Sequence, residues 1–102
     1  MLRRVDTVEV SPDDVGEYCR LIDEHLAPIV EAAGATFEGW WRTPEGTWNP
    51  LLVQTVVSCP GFDAWNVIRR NLVLDPRWYA CAEQLHALSR GGTRRFYRSG
   101  SE

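Results

Sequence analysis

Residues 2–10, LRRVDTVEV, mix apolar and charged positions, are rich in β-branched side chains and are closed by Ser11-Pro12, which predicts a strand. Ser11 suits a helix N-cap, Pro12 the first helical position, and Asp13 and Asp14 the positive end of the helix. From there to about residue 33, Val15, Tyr18, Cys19, Ile22, Leu26, Ile29 and Ala33 recur at helical spacing. Pro28 is expected to bend this helix, because it lacks an N–H and crowds the carbonyl of Glu24, and Gly34 ends it. Residues 36–42 and 51–59 predict two more strands, separated by the turn TPEGTWNP. After the break at Pro60-Gly61, Phe62, Trp65, Ile68 and Leu72 share one helical face. LDPRW opens a further helix, with Asp75 as N-cap, that runs to about residue 90, where Gly91-Gly92 stop it. TRRFYRS makes the last strand.

The predicted order is β-α-β-β-α-α-β, an α+β plait of the ferredoxin-like kind with a four-stranded antiparallel sheet and its second crossover helix broken in two. One domain is expected over residues 1–98, with a short tail at 99–102. Helices cover only one face of such a sheet, yet the strands are apolar on both faces: Val5, Val8 and Val10, Phe37 and Trp40, then Leu52, Val53, Val56 and Val57. A homodimer that stacks or closes two sheets accounts for this.

Composition adds three restrictions. The chain has 102 residues, 44% of them hydrophobic and 25% charged, which is ordinary for a soluble globular domain. A net charge of −3 opposes general nucleic-acid binding, so the arginines of RRFYR read as edge-strand protection. Cys19, Cys59 and Cys81 are scattered singly, as expected of reduced thiols in the cytoplasm. The N-terminal alternation is not that of a signal peptide, and LLVQTVVSC is too short to span a bilayer, so no membrane partner is expected.

Candidate chemistry is sparse. Asp6 falls on the same face of the first strand as Arg4 and Val8. In an apolar pocket it could act as a general base or acid; otherwise it forms an ion pair with Arg4 or an arginine such as Arg95. His25 flanks the apolar face of the first helix, where it could shuttle a proton, ligate haem iron or serve as a structural hydrogen-bonder. Arg69 shares a helical face with Trp65 and Leu72 and could clamp a carboxylate or enolate, or snorkel to water. His86 reads as solvated. With two histidines and no paired spacing, no metal and no cofactor is implied. Trp40 and Trp41 point to opposite faces of a strand, and Trp41, Trp48 and Trp65 are the candidates for lining a ligand pocket.

SPDDVGEY (11–18), GW (39–40), EGTWN (45–49) and LDPRW (74–78) together resemble the NIPSNAP-like proteins of the dimeric α/β-barrel superfamily, over about residues 4–98. The resemblance implies a homodimer whose two sheets close into a barrel, with a small-molecule pocket between the sheet and helices of each subunit. It also implies chemistry of the kinds found in that superfamily: cofactor-free monooxygenases, polyketide cyclases, lactone isomerases and haem-binding enzymes. Asp6 and Val8 stand where such sequences commonly carry an Arg and a Tyr, and Val53 and Thr55 where a His and a Trp are common. The resulting expectation is a homodimer that encloses a small hydrophobic or aromatic molecule and that, if it is an enzyme, is a cofactor-independent cyclase or isomerase of a polyketide- or lactone-like substrate. In it Asp6 or His25 moves the proton and Arg69 holds an oxyanion. A non-catalytic ligand-binding or interaction protein and a cofactor-free monooxygenase are the alternatives.

Overall fold

The computed structural model describes residues 1–44, 46 and 50–100. Strand β1 (Leu2–Val10) leads into helix α1 (Val15–Leu21), which continues through a π-helical segment (Ile22–Leu26) into α2 (Ala27–Ala32). Strands β2 (Thr36–Arg42) and β3 (Leu52–Cys59) follow, then α3 (Phe62–Leu74), α4 (Trp78–Ala87) and β4 (Ser89–Arg98). The sheet has the order β2-β3-β1-β4 with every neighbouring pair antiparallel, the α+β plait expected from the element order.

Strand alternation turns Leu2, Arg4, Asp6, Val8 and Val10 of β1 toward the helices. The register carries that face through Val53, Thr55, Val57 and Cys59 of β3. Ile22, Leu26, Ile29 and Val30 pack on it from one helical run, and Trp65, Ile68 and Leu72 from α3. Ile22, Ile29, Val10, Val30 and Val53 are fully buried, and each such burial contributes about 1.5–3 kcal/mol. Cys19, Cys59 and Cys81 are buried with free thiols. Among the described residues no helix is long and apolar enough to cross a membrane.

Four local features differ from expectation, each for a physical reason. Ser11 does not cap α1: its carbonyl and hydroxyl accept from Asp14 and Asp13 in a preceding turn, so the helix starts at Val15. Where a bend is expected at Pro28, the helical run instead carries a π-helical segment just upstream, over Ile22–Leu26. Pro28 itself lies in the first turn of α2, where its missing N–H costs least. Asp75 likewise sits in a turn before α4, accepting from the Arg77 amide at 2.9 Å. Gly91 and Gly92 lie inside β4 and do not stop a helix. A Cβ at residue 92 would stand 2.5 Å from the Thr7 carbonyl oxygen, so β4 reaches β1 there only as glycine.

A fifth feature decides the orientation of the tryptophans. Phe37 pairs with Val57 but Gly39 with Val56, so β2 carries one extra residue at Glu38. Gly39 takes a φ of 136°, which a side chain would resist. The bulge shifts the alternation by one, so Phe37 and Trp40 both face the helices while Trp41 faces away from them. Glu38 reaches across the far face to Arg3, at 2.6 and 3.1 Å.

Candidate functional site

A cavity of about 360 Å³ opens between the helix-facing side of the sheet and the helical layer. Val8, Leu26, Trp78 and Leu85 supply apolar walls, and Arg4, Asp6, Thr55 and Arg94 a polar floor. β1 brings Arg4 and Asp6 to one face, and its register sets Asp6 directly between Thr55 on β3 and Arg94 on β4. Both Asp6 oxygens accept from Arg94, Oδ1 from Nε at 2.9 Å and Oδ2 from Nη2 at 3.2 Å. That planar two-bond geometry is the strong form of the arginine–carboxylate pair.

Arg4 is the unusual group. It is only 5% exposed, its guanidinium lies 4.9 Å over the Trp65 ring, and Trp65 in turn meets Phe96 edge-on at 5.7 Å. Its Nη2 approaches Asp6 Oδ2 at 3.4 Å, an ionic contact, while Nε has no hydrogen-bond partner among the described residues. Burial pushes the Arg4 guanidinium below its ordinary range, with Asp6 opposing and Arg94 adding to the shift. Above the floor, burial first, then the charge of Asp6, pushes the Tyr18 phenol up to about 12. Tyr18 is therefore a protonated donor at neutral pH.

The residues singled out from sequence separate cleanly. Asp6 lines the cavity, paired with Arg4 and with Arg94 in place of Arg95, which pairs with Val5 and so faces the other side. His25 is exposed in the π-helical segment and does not line the cavity, so a haem held by it does not fit there. The buried face of α3 is centred on Trp65, Ile68 and Leu72, which turns Arg69 outward beside Asn66, Arg70 and Val73. Trp65 is buried beneath Arg4 and does not itself line the cavity. Trp41 is 56% exposed on the opposite side of the sheet, placed there by the Glu38 bulge. Trp40 packs against the helices and donates from its indole to Asp23 at 2.9 Å. Trp48 lies outside the described residues. Arg4, Tyr18, Trp78, His86 and Arg94 also line the cavity, although no sequence motif points to them as a site. Arg4 has a legible signal, since with Asp6 it is charged on a strand face otherwise built from Leu2, Val8 and Val10. Arg94 has none, because its partner is set by strand register.

No protein-family model and no curated protein matches the sequence. Solved structures do. A NIPSNAP-domain protein from Burkholderia xenovorans superposes with a TM-score of 0.82 at 20% identity, covering 99% of this chain and 96% of that one. A NIPSNAP-family protein from Agrobacterium tumefaciens gives 0.79 at 22% identity, over 96% and 84% of the two chains. The fold is that of the NIPSNAP domain. An antibiotic biosynthesis monooxygenase shares it more distantly, with a TM-score of 0.67 at 13% identity over 97% and 98%. The NIPSNAP fold thus covers essentially the whole chain here, and at these identities the likeness is one of architecture.

Proposed function

We propose that this protein binds a small hydrophobic or aromatic molecule in the cavity between its sheet and helices. The observation that carries the reading is a cavity of about 360 Å³ with apolar walls over a charged floor. Small-molecule sites typically span about 300–1,000 Å³ and combine those two features. The protein does this as a cytoplasmic homodimer. On the open side of the sheet Trp41 and Tyr97 are 56% and 52% exposed, Leu52 is exposed with them, and a second copy closing onto that face would cover them. The free buried thiols support a reducing compartment.

The chemistry we assign is cofactor-independent proton transfer, an isomerisation or cyclisation. Tyr18 donates a hydrogen bond from its hydroxyl to an oxygen on which negative charge develops, and Asp6 and His86 line the same cavity as the groups that exchange a proton with the substrate. Because both Asp6 oxygens accept from Arg94, a substrate has to draw that guanidinium aside before the carboxylate can act as base. The same pairing favours the second reading, a non-catalytic binder in which Asp6 only holds the arginines.

A panel of hydrophobic and aromatic compounds titrated against tryptophan fluorescence tests the reading, since Trp78 lines the cavity. Saturable binding that is lost to this probe in Trp78→Phe is the expected outcome, and absence of binding across the panel at millimolar concentration contradicts it. Mass-spectrometric turnover assays on each binder then separate the two readings. Product formed by the wild type and not by Asp6→Asn supports proton transfer, whereas unchanged ligand supports the binder. Oxygen consumption would identify oxygenase chemistry.

A further inference from the structure

The charges lining the cavity do not balance. Two guanidinium groups, Arg4 and Arg94, face one carboxylate, Asp6. Arg94 takes both Asp6 oxygens at hydrogen-bond distance, so Arg4 keeps only the 3.4 Å ionic contact. A guanidinium 5% exposed, with Nε unpartnered, is a costly group to hold in a fold, because that Nε–H has given up water without replacement. Trp65 beneath it supplies a face for the cation and no acceptor. Tyr18 and Thr55 line the same space, and neither hydroxyl is hydrogen-bonded among the described residues. The floor therefore offers several donors and lacks one acceptor group.

We infer that the molecule bound in this cavity carries a carboxylate head on an apolar body, with Arg4 as the principal anchor and Tyr18 and Thr55 completing the donor set. This rests on the proposal that the cavity is a small-molecule site and adds the class of ligand. The excess of one positive charge matches a monoanion. Arginine presents its donors to a carboxylate in the planar arrangement that gives short, charge-assisted bonds. Leu26, Trp78 and Leu85 then enclose the apolar body. In the free protein the Arg94–Asp6 pair stands behind Arg4 as the orienting element.

The test uses the whole protein and matched probes: 2-naphthoate against 2-naphthamide, and hexanoate against hexanamide, by isothermal calorimetry. Each acid is expected to bind more than about 10-fold tighter than its amide, as charged hydrogen bonds require. In Arg4→Met that ratio is expected to fall to nearly 1, with circular dichroism confirming the fold. Tyr18→Phe, which keeps the buried charge, is expected to reduce the ratio severalfold and stands in if Arg4→Met does not fold. Amides binding as tightly as acids, or a preference for acids that survives in Arg4→Met, overturns the inference while leaving the cavity a small-molecule site. If none of the four probes binds at millimolar concentration, the small-molecule reading falls with it.

Discussion

Tyr18 makes the fold sensitive to alkali in a way that can be isolated. Its phenol is pushed from 10.0 up to about 12, first by burial and then by the neighbouring charge of Asp6. The unfolded chain releases this proton near pH 10 while the folded chain holds it, so stability is full below about 10 and is lost as pH rises toward about 12. Two pKa units correspond to roughly 2–3 kcal/mol, a large fraction of the roughly 5–15 kcal/mol typical of a domain. The basic side chains are all arginine, so no lysine titrates in that window. Burial also pushes the Cys19 and Cys81 thiols up, which destabilises the wild type from a lower pH onward. Tyr18→Phe retains both cysteines, so the comparison cancels them. Urea unfolding followed by far-ultraviolet circular dichroism, at steps from pH 8 to pH 12, is the assay. The two proteins are expected to have nearly equal stability at the lower end and to separate by roughly 2–3 kcal/mol between about pH 10 and 12, the variant becoming the more stable. Parallel curves through that window would refute the buried, protonated phenol on which the donor role of Tyr18 depends.

Arg4→Met removes a buried guanidinium while Asp6 keeps Arg94, and a gain of about 1 kcal/mol, or roughly 4–8 °C in Tm, is expected by calorimetry. A clear drop in Tm would mean that Arg4 is satisfied in the free protein. Gly39→Ala forces a side chain into φ 136° and is expected to cost about 1–2 kcal/mol in urea unfolding; an unchanged midpoint would argue against the bulge. The Asp75 carboxyl is held down to about 2, chiefly by the Arg77 side chain. Its contribution to stability is present above the ordinary value of about 3.9 and is lost as pH falls through about 2. Carbon-13 titration should place its midpoint there and find it returned upward in Arg77→Gln. Light scattering on the wild type should give the mass of a dimer at micromolar concentration, and Trp41→Glu should halve it. A wild-type monomer would remove the dimer from the proposal.

The type and order of the elements were legible from periodicity: β2 spans residues 36–42 as the pattern predicts, and Pro60-Gly61 separate β3 from α3. What periodicity cannot carry is anything dependent on two strands at once. The bulge at Glu38 becomes visible only against β3, and it exchanges the faces of Trp40 and Trp41. Gly91-Gly92 look like a helix stop until the main chain of β1 is found beside them. The site followed the same division. Asp6 was identifiable as a carboxylate on an apolar strand face, whereas its bond to Arg94 depends on the β1–β4 register. Arg69 and His25 lay beside apolar faces, and a helical repeat read without its packing partner places a flanking residue on either side of the boundary. Tyr18 falls among the apolar positions of its helix because its ring packs as one, and only the fold brings it to the cavity.

Whether the cavity is a small-molecule site can be read in one titration. Nitrogen-15-labelled protein is titrated with 2-naphthoate and followed by amide correlation spectra. Saturable shifts are expected to centre on Arg4, Asp6, Tyr18, Thr55, Trp78 and Arg94, with Trp41, Leu52 and Tyr97 on the opposite face of the sheet unaffected. Shifts confined to that opposite face, or none at saturating probe, would contradict it.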